Sequence, residues 1–364
     1  MRFGLFHECS PTTPQRYHQR YKEMIAEAVR AEEVGFDIYL LSESHFSRHY
    51  GISSPEVFLS AVATRTSRMK LRAGGIVVLS FNHPIRVAEQ LATLDVLSDG
   101  RAELGAVRSN NRDVIEGFEI SPKETRAQSD EALEIIAKAL SSDPFEHRGR
   151  FWNIPSRSLV PRPVQDPHPP MVYCSTGLEG HRVAGRKGLG VMSGGSLVRG
   201  WDFVEDAIPA YKESLKDADP IGAYVFDSLG VYVNRAHCAE TMEMAMGTAR
   251  RVAIETVELV LGFYKKLASA SPDYAYMGQL GDIEEHTQDV EYLNERGPFV
   301  TVGDPEFFIE RCTRLKELGA DEVIFCIDGL EHGAHMRAIE LIGERVIPAL
   351  RDGQDTRIEP SARR

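Results

Sequence analysis

Residues 28–45, AVRAEEVGFDIYLLSESH, decide how the chain reads. Their first part closes a helix that begins near residue 16. Tyr17, Tyr21, Met24, Ile25, Ala28, Ala31 and Val34 recur along it at helical spacing and share one face. Gly35 follows as the stop that a helix C-terminus favours. Residues 37–42 then lose the helical period. Their centre, Ile38-Tyr39-Leu40-Leu41, is the continuous apolar run of a strand buried on both faces. The run breaks at once into Ser42-Glu43-Ser44-His45. Helix, glycine, apolar strand and polar tip form one unit of an alternating chain.

The unit recurs in both directions. Strands are expected at 2–7, 37–42, 70–79, 102–107, 171–174, 189–193, 223–233 and 322–327. Helices are expected at about 16–34, from Pro55 after the hydroxyls Ser53-Ser54, and at 84–97, 124–141, 178–187, 201–216, 240–268, 305–318 and 333–350. Alternation of this kind implies a parallel sheet, and eight such units fit an α/β fold, the (β/α)8 TIM barrel. A doubly wound open sheet is the alternative, but no G-x-G-x-x-G follows the first strand. The expected organisation is a single barrel domain over 1–352 with insertions near 142–170 and 269–303, and a flexible tail at 353–364. The first insertion is rich in proline. The second is a candidate lid, with Gly278, Gly281 and Gly297 to bend it and Tyr274, Tyr276 and Phe299 to cover an apolar ligand.

Bulk composition narrows the partners. The 364 residues carry a formal charge of −12, which disfavours a nucleic-acid footprint built on clustered Lys and Arg. The five cysteines form no C-x-x-C pair and are odd in number, so a reducing, cytoplasmic setting fits better than a disulfide framework. No uncharged apolar run approaches the roughly 18 residues of a membrane span, and the N-terminus lacks a signal-peptide pattern.

In a (β/α)8 barrel the C-terminal strand ends form the active site. Here those ends are polar: His7-Glu8, Glu43-Ser44-His45, Arg108-Ser109-Asn110, Ser175-Thr176-Gly177 and Asp328-Gly329. One solvated strand end explains itself, whereas several converging ones suit an enzyme. Cys174-Ser175-Thr176-Gly177-Leu178-Glu179-Gly180 runs from a strand straight into a helix. Free N–H groups at a helix N-terminus favour an anion, and Arg108 on the neighbouring strand end adds a cation. A plain Ser/Thr helix cap is the bland reading of the same residues. His83 is expected to cap or pack, and His332 and His335 to lie at the surface. Metal binding has little support, since His45-x3-His49 falls in a loop. A serine hydrolase lacks its G-x-S-x-G elbow.

Four stretches resemble the bacterial luciferase-like, flavin-dependent monooxygenase family: residues 28–45, "NHPIRVAEQLATLDVLSDGRAELGAVR" at 82–108, "STGLEGHRVAGRKGLG" at 175–190 and "VGDPEFFIERCTRLKELGADEVIF" at 302–325. They follow the family's order and span about residues 2–350. The resemblance implies a (β/α)8 barrel binding reduced FMN (FMNH2), or F420 in one branch. It implies O2 as co-substrate, a C4a-hydroperoxyflavin that oxygenates a small organic substrate, and a separate NAD(P)H:flavin reductase. It places Arg108, Ser175, Thr176, Gly177 and Gly180 around the flavin phosphate. Gly74, Gly75 and Ile76 match a segment against the flavin ring that often holds a non-proline cis peptide.

Two positions depart from the family. Many members have Glu-His-His after the second strand, and the first histidine assists catalysis. This chain has Glu43-Ser44-His45, so the proton transfer must pass to His45, His7, His49 or the substrate. Val107 matches a position where luciferase carries a reactive cysteine. Candidate catalytic residues are therefore His45, Glu43 and Ser44. The resemblance also implies a homodimer through the second and third helices, with Val57, Leu59, Ser60, Ala61, Ala63, Val87, Ala88, Leu91 and Leu94 as its face. The alternatives are an F420-dependent oxidoreductase and a non-catalytic flavin-binding relative.

Overall fold

The computed structural model describes residues 1–10, 16–47, 49–109 and 111–351. Asn110 and the expected tail at 353–364 lie outside the described residues. The chain opens with β1 (Arg2–His7), α1 (Tyr17–Glu33), β2 (Ile38–Leu41), α2 (Pro55–Ala63), β3 (Lys70–Val77), α3 (Pro84–Leu97) and β4 (Ala102–Val107). It continues with α4 (Arg112–Gly117), α5 (Thr125–Ser141), β5 (Phe145–Arg148), β6 (Asn153–Arg157), β7 (Met171–Ser175), α6 (Leu178–Arg186), β8 (Gly190–Ser193) and α7 (Ser196–Ser214). It ends with β9 (Leu229–Val233), β10 (Arg235–Cys238), α8 (Met242–Ala268), α9 (Val290–Arg296), β11 (Val300–Gly303), α10 (Pro305–Leu318), β12 (Glu322–Cys326), α11 (His332–Leu341) and α12 (Ile347–Arg351).

The order β1-β12-β9-β8-β7-β4-β3-β2 closes into a barrel in which every pair is parallel. These are the eight runs expected from the sequence. Their side chains alternate between two cores. Phe6, Ile38, Leu40, Val172, Met192 and Ile324 fill the interior, while Phe3, Leu5, Tyr39, Leu41 and Phe325 face the helices. Local signals place the helices. His83 accepts from the Ile85 N–H before Pro84, and Asp304 accepts from the Phe307 N–H before Pro305. Gly319 leaves α10 at φ 101°.

A buried ionic layer marks the N-terminal floor of the barrel. Arg72 of β3 donates to Glu103 of β4 at 2.8 Å and to both oxygens of Glu322 of β12 at 2.8 and 3.0 Å. Arg2 pairs with both acids from the rim. Burial alone would neutralise such carboxyls, yet the guanidinium holds Glu322 below the usual carboxylate range.

Several expectations change. The 142–170 region contains the antiparallel pair β5·β6, and a parallel pair β10·β11 stands beside the barrel. The seventh strand starts at Leu229 rather than 223. The last helix contains a π-helical stretch over Ile342–Val346. The 269–303 region is packed, not a loose lid. Tyr274, Met277, Ile283, Leu293 and Phe299 share a third apolar cluster with Val257 and Leu261 of α8. Of the expected dimer face, Leu59, Ala63, Val87, Ala88, Leu91 and Leu94 are buried within this chain, because both helices lay their apolar stripes on the barrel; Val57 stays 68% exposed. His335 is buried rather than superficial, and it and His332 both reach Glu27 in α1.

Candidate active site

The C-terminal strand ends surround a cavity of about 520 Å³. That size suits a small-molecule site. The strand tips of β1, β2, β3, β4, β7, β8 and β9 form its base and sides. Val260, Phe263 and Tyr264 of α8, with Tyr274, Tyr276, Met277 and Phe299, form an apolar wall above them.

The expected anion end is assembled. Arg108 and Ser175, Thr176, Gly177 and Gly180 line the same cavity. The Ser175 hydroxyl donates to the Gly177 carbonyl at 2.9 Å and accepts from its N–H at 3.2 Å, which folds the turn onto α6. A Cβ on Gly180 would stand 2.0 Å from Ser175 Oγ, so only glycine lets helix and turn meet. His181 is buried and pushed down to about 4. As a neutral ring it holds the Gly177 carbonyl through Nδ1 at 2.8 Å. Arg108 Nη1 is buried without a hydrogen-bond partner, and its nearest carboxylate, Asp273, lies 4.0 Å away. A buried guanidinium nitrogen left unpaired beside a helix N-terminus fits a phosphate.

Sequence reading missed two contributors here. Arg126 lines the same end, paired with Asp273 at 3.3 Å, and nothing in its local sequence marks it. The Tyr276 hydroxyl bonds the Thr176 hydroxyl at 2.8 Å, so the 269–303 region clasps the turn.

The segment expected against a flavin ring is only partly as expected. Gly74 and Gly75 line the cavity, but Ile76 is buried outside its lining. The cis peptide bonds among the described residues are Asp143-Pro144, Val160-Pro161 and Asp166-Pro167, so Gly74-Gly75 is trans. The local irregularity is instead a register shift against β4 between Ala73 and Ile76. It turns Ile76 away and leaves bare backbone facing the cavity. Gly105 packs so closely that a Cβ there would come within 2.7 Å of Gly74 Cα. Val107 lines the cavity, as does Cys174, whose thiol burial pushes up to about 12 and keeps protonated.

The tip of β2 divides. Glu43 and Ser44 line the cavity, whereas His45 does not. The Glu43 carboxylate accepts from the Val77 N–H at 2.7 Å, from Asn82 Nδ2 at 2.8 and 2.9 Å, and contacts His45 Nε2 at 2.7 Å. Its donors occupy both oxygens. It is a clamp joining β2 to the end of β3. His45 lies edge-on to Phe81 and Phe118, rings stacked on each other at 3.9 Å, and supports Glu43 from behind. The structure thus places His45 behind Glu43 rather than on the cavity wall. His7 also leaves the site, turned outward to Tyr39 and Glu27. Glu8, Tyr50, Tyr232 and Asn234 line the inner cavity and went unassigned in the sequence reading.

Comparison with known proteins agrees with this architecture. The family model described as luciferase-like monooxygenase matches residues 1–322. Limonene 1,2-monooxygenase of Rhodococcus erythropolis is 25% identical over 328 residues, 87% of this chain and 78% of that one. FMNH2-dependent dimethylsulfone monooxygenase of Pseudomonas putida is 25% identical over 338 residues, 90% and 87% of the two chains. The chain spans about half the length of other curated relatives it matches, among them the uncharacterised protein y4wF of Sinorhizobium fredii, 36% identical over 183 residues, 50% of this chain and 53% of that one. F420-dependent oxidoreductases also appear among its relatives. The crystal structure of monooxygenase RslO1 from Streptomyces bottropensis superimposes with a TM-score of 0.77 at 24% identity, covering 96% of this chain and 100% of that one. The barrel, the order of its motifs and the family match together show that this chain belongs to the luciferase-like monooxygenase family.

Proposed function

We propose that this chain is the oxygenase component of a two-component, FMNH2-dependent monooxygenase acting on a small organic substrate. The observation that carries the reading is Arg108 Nη1, buried with no hydrogen-bond partner on the same cavity as the Ser175–Gly177 turn. Arg108, the turn and the N-terminus of α6 would hold the phosphate. The glycines of β3 would admit the flavin ring, with Glu43 fixing the strand end behind them. Reduced FMN, when bound, supplies the electrons that activate O2, and a separate NAD(P)H:flavin reductase would deliver it. The aromatic wall of Phe263, Tyr264, Tyr276 and Phe299 excludes water and receives an apolar substrate. Homodimerisation through the exposed side of α2, where Val57 projects, belongs to the same proposal.

F420 is the second reading, favoured by relatives of that kind. One observation weighs against it. The cations beside the turn that would meet an acidic cofactor tail already have acidic partners: Arg182 and Arg186 share Glu179, at 3.6 and 2.7 Å, and Lys187 pairs with Asp130 at 3.0 Å, which leaves little free positive charge for such a tail. Anaerobic titration with reduced FMN and with F420, followed by O2 uptake over a substrate panel, tests the choice. Reduced FMN should bind at least about tenfold more tightly. Tighter binding of F420, or no flavin binding, refutes the proposal.

A further inference from the structure

β1 ends in two adjacent acid–base residues that point opposite ways. His7 faces outward to Glu27 and Tyr39. Glu8 faces the cavity. The turn that separates them is held firmly. Asp328, just beyond β12, accepts from the N–H groups of Glu8, Cys9 and Ser10 at 2.7, 3.0 and 3.4 Å. Arg20 of α1 fixes Asp328 at 3.3 Å and is itself fixed by Glu27 at 2.7 and 2.9 Å. Cys9 sits at φ 59°, a conformation non-glycine residues adopt at a cost and which clusters at functional sites.

The carboxyl so positioned has little to hold it. Among the described residues its one bonding contact is the Cys326 thiol at 3.8 Å. Glu43, across the cavity, has all the donors that Glu8 lacks. Burial pushes Glu8 up to about 7; Asp328 adds to the rise and Arg235 of β10 opposes it. Two tyrosines stand with it, Tyr50 from the loop after β2 and Tyr232 from β9. Burial raises both phenols well above their ordinary value, so they remain hydrogen-bond donors. Asn234 Oδ1 is buried and unpartnered, the Tyr232 hydroxyl is buried with only the Cys326 thiol beside it, and both residues line the cavity.

We propose that Glu8 is the acid–base group of this cavity, exchanging a proton with an oxygen or nitrogen atom of a substrate held between Tyr50, Tyr232 and Asn234. The substrate class is accordingly an apolar molecule bearing one such polar atom. In the forward step the Glu8 O–H bond breaks, its electron pair stays on the carboxylate, and the proton joins the substrate atom. The reverse transfer restores the acid. Substrate, O2 and FMNH2 become oxygenated product, water and FMN without net proton change, so the carboxyl ends as it began. This role rests on the flavin reading above, while the titration of Glu8 is independent of it.

Two measurements on the full chain test the role. Carbon-13 glutamate NMR should show a carboxyl titrating near neutrality that is missing in Glu8→Gln. Single-turnover oxygenation of a panel substrate, started by mixing the reduced-FMN complex with O2 and that substrate, should show a pH step near neutrality in the wild type. That step should vanish in Glu8→Gln and return, displaced, in Glu8→Asp, with reduced-FMN affinity kept within about threefold. No neutral-range carboxyl, or an unchanged step in Glu8→Gln, overturns the role of Glu8. Failure of the wild type to bind reduced FMN, with the carboxyl titration intact, removes the flavin reading and the catalytic role with it, and leaves Glu8 only as a neutral-range acid.

Discussion

Replacing Glu8 by glutamine should change how folding stability depends on pH. The Glu8 carboxyl rises from 4.5 to about 7 on folding, mainly because burial penalises its charge. The folded protein therefore holds a proton that the unfolded chain releases earlier. The sign follows: the contribution is fully present below 4.5 and is lost as pH climbs to about 7. At about 1.4 kcal/mol per factor of ten, the rise from 4.5 to about 7 amounts to at most about 3.5 kcal/mol. Glutamine is nearly isosteric and does not titrate, so its own curve supplies the background. Urea unfolding of wild type and Glu8→Gln at about pH 5 and about pH 8 isolates the effect. Between those points the wild type should lose about 2–3 kcal/mol more than the variant. Curves that stay parallel within about 0.5 kcal/mol would mean that Glu8 ionises as it does in water, and the reasoning about its burial would be wrong.

Gly180→Ala forces a methyl group onto Ser175 Oγ and should weaken FMN binding by about tenfold or more, with partial recovery in Gly180→Ala/Ser175→Ala; equilibrium titration checks it. Arg72→Met strands Glu103 and Glu322 in the barrel floor and should cost about 3–5 kcal/mol in urea unfolding, recovered in part when both acids become glutamine. His45→Ala removes a support of Glu43 outside the cavity, so stability should fall by about 1–2 kcal/mol while FMN affinity stays within about threefold; a tenfold loss of affinity would return His45 to the site.

The barrel was legible because its strands are buried on both faces and therefore spell continuous apolar runs, as in Ile38–Leu41. Elements without such a run were missed. β5 and β6 are mostly exposed, so their sequence carries no apolar stripe. β10 is buried but reads Arg-Ala-His-Cys; Arg235 is accommodated by bonds to Thr256 and the Asp328 carbonyl, partners remote in sequence. The Ser175–Gly177 turn was legible because hydroxyls and glycines between a strand and a helix have a local geometric meaning. Which way Glu43, His45 and Glu8 point was not, because two-residue alternation ends where the strand ends. His335 is buried rather than superficial, which its sequence did not show because its acceptor, Glu27, lies 308 residues away.

The central claim is that the strand ends form one pocket with Arg108 gripping the phosphate of a flavin. Its most direct measurement compares the affinities of FMN and riboflavin, which differ by that phosphate, in the wild type and in Arg108→Ala. A charge-assisted contact worth about 1.5–3 kcal/mol predicts that the variant narrows the preference for FMN by about 10- to 100-fold, leaving riboflavin affinity nearly unchanged. Equal affinity for both ligands in the wild type, or a preference for FMN that survives in Arg108→Ala, would contradict it.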